Sequence, residues 1–147
     1  ILTKRDKSFD VICCSVGTGG TLAGLVEGAQ PHQKVLGFAA LRHQHLKEEI
    51  NKFTFKQNWE INSEFTFGGY AKVSKPLIEF INTFNKNFKT PLDPIYTGKL
   101  LFGIFDLINK KQWIWGKRIL AIHTGGLQGI AGMNNQLKQK GWPTIDL

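Results

Sequence analysis

A short apolar run that ends abruptly in glycines constrains this chain more than any other feature. Phe9 to Val16 carries the β-branched residues Val11, Ile12 and Val16, and Ser15-Val16-Gly17-Thr18-Gly19-Gly20-Thr21 closes it. A run this short, apolar on successive residues, predicts a strand buried on both faces of a parallel sheet. Thr21 to Ala29 reads as a helix with Leu22, Leu25 and Val26 on one face, closed by Pro31. Lys34 to Ala39 reads as a second buried strand. Strand, helix and strand within about thirty residues make one βαβ crossover.

The pattern continues along the chain. His43 to Phe53 fits a polar helix, and Asn58 to Thr66 a loop or edge strand. Ser74 to Phe88 is predicted as a helix. Ser74 suits its cap, Pro76 its first turn, and Leu77, Ile78, Phe80, Ile81, Phe84 and Phe88 its apolar face. Thr90 to Pro94 is a turn, Thr97 to Lys111 a strongly apolar helix, and Trp113 to Lys117 another turn. Arg118 to His123 is predicted as a third buried strand, and Leu127 to Lys140 as the last helix, ended by Gly141 and Pro143. Strands alternating with helices predict an α/β fold: an open, mainly parallel sheet with helices on both faces, in three layers α/β/α. Ligands of such sheets sit beyond the carboxyl ends of the strands. Glycine clusters stand there after the first strand and after the last.

Composition narrows the function classes. The 147 residues suffice for one domain with a real core, and 41% hydrophobic with 20% charged residues is an ordinary globular balance. No apolar run is long enough to span a bilayer, and none reads as a signal peptide. The net charge of +8 raises the prospect of an anionic ligand or nucleic acid. The lysines are scattered, however, with no arginine stripe or interleaved aromatics, so nucleic acid is not expected. Cys13 and Cys14 are adjacent; on a strand they point to opposite faces, which makes a disulfide strained and two small buried apolar groups the simpler reading. The lack of a disulfide framework fits a reducing compartment, expected to be the cytoplasm.

The Gly17-Thr18-Gly19-Gly20-Thr21 loop suits one phosphate. Glycines let backbone N–H groups approach an anion, the following helix adds free N–H groups and a positive dipole end, and Thr18 and Thr21 add hydroxyls. Leu22 stands where a dinucleotide fingerprint needs its third glycine, and the P-loop's Gly-Lys-Ser/Thr is absent. A tight turn without a ligand is the competing reading. Tyr96 and Thr97 open a helix after an extended segment; a tyrosine there serves proton transfer or ring stacking, or simply anchors, with Thr97 as cap. Gly68-Gly69-Tyr70 is a weaker signal of a turn and an aromatic. Thr124, in His123-Thr124-Gly125-Gly126, is offered to a ligand, while His123 reads as structural. No His/Cys/Asp/Glu group has metal-ligand spacing, and no Gly-x-Ser-x-Gly elbow occurs.

Four of these segments, in order, carry a resemblance. Ser15 to Leu25, Gly68-Gly69-Tyr70, Asp93 to Lys99 (Asp-Pro-Ile-Tyr-Thr-Gly-Lys) and His123 to Gly129 resemble the carboxyl-terminal half of the 1-aminocyclopropane-1-carboxylate deaminase / D-cysteine desulfhydrase family. Those are pyridoxal 5'-phosphate (PLP) enzymes of the tryptophan-synthase-β-like fold group. The resemblance implies that residues 1–147 are the carboxyl-terminal part of the large, PLP-binding domain of a two-domain enzyme, the amino-terminal half being absent from this sequence. Val16, Gly17, Thr18, Gly19, Gly20 and Thr21 would then hold the PLP phosphate. Tyr96 would face cofactor and substrate as an acid/base or stacking group, and Tyr70 would be a second active-site tyrosine. Thr97 and Thr124 would lie near the pyridine nitrogen, where deaminases of the family typically carry Glu and Leu. Hydroxyls favour a protonated ring nitrogen less than a carboxylate does, which suits β-elimination of thiolate from D-cysteine to pyruvate, ammonia and hydrogen sulfide. Deamination of the cyclopropane amino acid is the alternative, and a non-catalytic anion-binding α/β module the alternative of another class. The family's Schiff-base lysine and its Ser-Asn substrate motif lie in the amino-terminal half; Lys99 belongs to a different motif, so the chain alone is expected to be inactive. The implied partners are a small amino acid and, at full length, a second copy in a homodimer, with no membrane.

Overall fold

The computed structural model describes residues 2–147. A 3₁₀ turn at Lys4–Ser8 leads into four strands, β1 (Val11–Val16), β2 (Lys34–Ala39), β3 (Trp59–Asn62) and β4 (Ile119–Ala121). The helices are α1 (Gly20–Gly28), α2 (Leu46–Asn51), α3 (Lys75–Phe88), α4 (Thr97–Asn109) and α5 (Gly129–Gln139). The strands form one sheet in the order β3-β2-β1-β4, every pair parallel. Val11 pairs with Lys34 on one side and Ile119 on the other, so β1, β2 and β4 start at one level; β1 and β2 end together at Val16 and Ala39, and the shorter β4 ends opposite Cys13.

The apolar run of β1 needs two covers, and it has them. Ile12, Cys14 and Val16 face Leu22, Leu25 and Val26 of α1 and Leu46 and Ile50 of α2. Val11 and Cys13 face the other way, against Leu100, Ile104 and Leu107 of α4. The two cysteines thus lie on opposite faces as expected. Both are free, and burial pushes both thiols up, Cys14 to about 12. They are packing residues, not nucleophiles. A third cluster joins Leu77, Ile78 and Ile81 of α3 to Ile130, Met133 and Leu137 of α5, and Phe67, Leu101 and Phe102 bridge it to the α4 layer. The three-layer arrangement expected of the alternating pattern is what forms.

Local chemistry explains the element ends. Ser74 Oγ accepts the Leu77 N–H at 3.3 Å, with Pro76 in the first turn of α3, and Lys89 in the left-handed region ends it. Two expectations need correction. The strand predicted over Arg118 to His123 is only three residues long and half-buried, because β4 is an edge strand bonded on one side to β1 alone. The helix predicted from His43 to Phe53 is confined to Leu46–Asn51. Beyond it the chain turns in so that the Thr54 hydroxyl donates to the Glu27 carboxylate and Lys56 Nζ donates to the carbonyls of Val26 and Glu27 at the end of α1. Asn58 to Thr66 contains a short edge strand, β3, and no helix among the described residues is long and apolar enough to cross a membrane.

Candidate functional site

The carboxyl ends of β1, β2 and β4 open into one cleft of about 620 Å³. Its lining comes from the loop after β1 (Val16, Gly17, Thr18, Gly19, with Thr21 of α1), from His43 after β2, from Tyr96 at the head of α4, and from Thr124, Gly125 and Gly126 after β4. Its volume is that of a cofactor site.

The glycine loop is shaped rather than merely flexible. Gly19 has φ 97°, and a Cβ there would stand 2.6 Å from Ile50 Cγ1. Only glycine meets both demands. Gly19 also leaves α1 without a side-chain cap, so the first N–H groups of the helix face the cleft with no internal acceptor. A Cβ at Gly17 would lie 3.5 Å from Tyr96 Cε1, which puts the tyrosine ring directly beside the loop. An uncapped helix start, bare backbone donors and two nearby threonine hydroxyls suit a phosphate monoester. The residues therefore fit the phosphate of PLP. Glu49, also at the cleft, is paired with Lys52 at 2.7 Å, and that ammonium holds its carboxyl below the usual carboxylate range.

Tyr96 is placed by Asp93. The buried Asp93 carboxylate accepts the N–H groups of Ile95, Tyr96 and Thr97 at 2.9, 2.7 and 2.8 Å and so caps α4 from four residues upstream of Thr97. Gly126 fits against this carboxylate; a Cβ would meet Asp93 Cγ at 3.0 Å. The second glycine cluster thus packs the cap of α4 as well as lining the cleft. Tyr96 itself has its phenol pushed above the ordinary tyrosine value, mainly by burial and then by the nearby Tyr70 and Asp93. It is a neutral hydrogen-bond donor at physiological pH, not a standing phenolate base.

The two tyrosines named from the sequence come together: the Tyr70 and Tyr96 rings are 6.5 Å apart, edge to face, with Tyr70 59% exposed. Val16, Gly17, Thr18, Gly19, Thr21 and Thr124 line the cleft, while Gly20 opens α1 just behind it. Thr97 lies elsewhere. Its side chain is buried and its hydroxyl donates to Asp93, so it stands behind the cleft wall and not on it. His123 is structural as read: its Nδ1 accepts the Gly125 N–H at 3.0 Å, which makes Nε2 the donor to the Pro91 carbonyl at 2.9 Å. Sequence reasoning missed His43, Glu49 and Gln128: Gln128 lies within the His123–Gly129 segment without being singled out, His43 is signalled by its position soon after β2, and Glu49, on α2, has no signal. No lysine lines the cleft among the described residues.

Comparison with known proteins gives the family. No family model matches the chain. A Pyrococcus furiosus protein named "Putative 1-aminocyclopropane-1-carboxylate deaminase" is 32% identical over 136 residues, 83% of this chain and 41% of the relative. An Arabidopsis thaliana protein named as a mitochondrial bifunctional D-cysteine desulfhydrase/1-aminocyclopropane-1-carboxylate deaminase is 27% identical across 97% of this chain and 39% of its own length. This chain belongs with the 1-aminocyclopropane-1-carboxylate deaminase / D-cysteine desulfhydrase family. It spans less than half the length of the curated relatives it matches. A crystal structure of an ACC (1-aminocyclopropane-1-carboxylate) deaminase homologue superposes with a TM-score of 0.70 at 29% identity, over 93% of this chain and 46% of that one. Threonine deaminase isoform 2 of Solanum lycopersicum shares the fold at a TM-score of 0.53 and 15% identity.

Proposed function

We propose that this chain forms the phosphate-holding, tyrosine-bearing part of the PLP domain of an amino-acid lyase, and that the whole protein eliminates thiolate from D-cysteine to give pyruvate, ammonia and hydrogen sulfide. The observation that carries the cofactor class is the uncapped start of α1 behind Gly19, facing a cleft that Tyr96 closes from the side. Bound PLP supplies an electron sink for charge developing on the substrate's α-carbon. Backbone N–H groups of residues 17–21 anchor its phosphate, with the Tyr96 ring alongside. Tyr96, neutral and pressed between loop and Tyr70, delivers a proton or hydrogen bond rather than awaiting one.

Thr124 carries the choice of D-cysteine. It is the threonine of the pair that faces the cleft, and it places a hydroxyl where deaminases of the family typically carry Leu. Thr97 adds nothing to that choice, since its hydroxyl is committed to Asp93. The names of the relatives favour a second reading, opening of the cyclopropane amino acid. The chemistry also needs a lysine from outside the cleft lining seen here, so residues 1–147 alone bind PLP without turnover. Assay of the full-length protein with both amino acids tests the proposal: sulfide and pyruvate from D-cysteine form faster than 2-oxobutanoate from the cyclopropane substrate. The opposite order makes the protein a deaminase.

A further inference from the structure

We infer that Lys99 is a positioning residue: its buried ammonium ties the loop carrying Tyr70 to the helix turn carrying Tyr96. Lys99 is 1% exposed. Its Nζ donates to three backbone carbonyls, those of Ala40 at 3.0 Å, Thr66 at 2.9 Å and Gly69 at 2.8 Å. Three donors meet three acceptors, so the ammonium is fully satisfied without a carboxylate touching it. The acceptors come from the end of β2 and from both ends of the turn just before Tyr70, while Lys99 itself sits three residues after Tyr96 on α4. The first turn of α4 thus presents one tyrosine to the cleft and grips the loop that brings the other.

That loop needs a grip. Phe67, Gly68, Gly69 and Ala71 all have φ between 53° and 129°, so four of the five residues 67–71 lie in the left-handed half of backbone space. Two of these carry side chains, for which that conformation costs energy and persists only when surroundings enforce it. The turn's own bonds are few: the Thr66 carbonyl accepts the Gly69 N–H at 3.0 Å and the Gly69 carbonyl accepts the Lys72 N–H at 3.2 Å. Lys99 bonds those same two carbonyls from inside. Burying a charge is costly, and a methionine of similar shape would fill the space more cheaply if packing were all that mattered. What the ammonium adds is direction, because three carbonyls must point at one atom, and the Tyr70 ring is then held 6.5 Å from Tyr96.

The importance of Tyr70 rests on the proposed function; the tether itself does not. Hydrogen–deuterium exchange on the full protein, without ligand, separates the two. In Lys99→Met, exchange over residues 66–72 rises about tenfold or more, the scale of one lost charge-assisted hydrogen bond, while β1 and β2 keep their rates. Lys99→Cys, made in a background in which Cys13, Cys14 and every other cysteine are replaced by alanine, shows the same loosening, and alkylating it with bromoethylamine in denaturant before refolding restores an ammonium and restores slow exchange. Should neither variant fold, the Nζ protons of the unmodified protein give the answer: they are protected from solvent, and exchange at the rate of a free lysine overturns the tether. Unchanged exchange over 66–72, or a rise shared equally by β1 and β2, overturns it also. A loosened loop together with undiminished turnover upholds the tether and removes Tyr70 from the proposed site.

Discussion

Two threonines in near-identical company end with opposite roles. Thr97 follows Tyr96, Thr124 precedes a glycine pair, and both were expected beside one ring nitrogen. Thr97 is held by Asp93 beneath the start of α4, whereas Thr124 is exposed in the cleft. Their valine variants separate accordingly. Thr97→Val strips the buried Asp93 carboxylate of its hydroxyl donor and lowers stability by about 1–3 kcal/mol, read by urea denaturation. Thr124→Val leaves the denaturation midpoint within about 0.5 kcal/mol of wild type and instead weakens PLP binding, read by equilibrium dialysis. Equal stability losses in the two would show that Thr97 is not committed to Asp93. The carboxylate itself was unremarkable as a sequence letter. Its four partners lie within its own turn, so the local string Asp-Pro-Ile-Tyr-Thr did hold the cap, but the burial that makes it matter comes from Gly126 on another segment.

At the scale of elements, the strand–glycine–helix unit is where local and tertiary demands coincide. Gly19 needs a left-handed backbone and also has Ile50 of α2 against it. Gly19→Ala therefore loses about 1–3 kcal/mol of stability through strain, and PLP affinity falls as the loop's N–H groups shift. An alanine variant with native stability and native affinity would mean that the loop relaxes freely. The neighbouring Gly20 has no atom near a built Cβ, so Gly20→Ala serves as the tolerated control. The glycine string alone does not tell these two positions apart. Element types were legible because burial on two faces gives β1 and β2 their unbroken apolar runs. The edge status of β4 was not, since Ile119, Leu120 and Ala121 read like an interior strand and only the pairing order exposes one of their sides.

For the whole molecule, buried titratable groups set an unusual alkaline profile. Burial pulls Lys99 down to about 8 from its usual 10.5, with Asp93 opposing. Its folded value lies below its unfolded one, so between those limits the unfolded chain binds more protons and stability rises with pH. Cys13 and Cys14 act in the reverse sense. Their folded values lie above the usual 9.0, so the unfolded chain sheds protons first and stability is lost above about 9. The denaturation midpoint should climb from about pH 8, peak near about 9 and then fall, and Lys99→Met should remove the climb and keep the fall. A midpoint that declines steadily from about pH 8 in the wild type would count against the buried ammonium. The sequence by itself determined the order and type of the elements, the glycine loop at the end of β1, and the inertness of two adjacent cysteines, because period, chirality and side-chain alternation act over a few residues. Only the tertiary structure decided that Tyr70 meets Tyr96, that Thr124 shares a cleft with the loop after β1, and that Lys99 gathers carbonyls from residues 40, 66 and 69. Those pairings join segments tens of residues apart, and what selects them is the packing of α4 across the sheet, which no local pattern encodes.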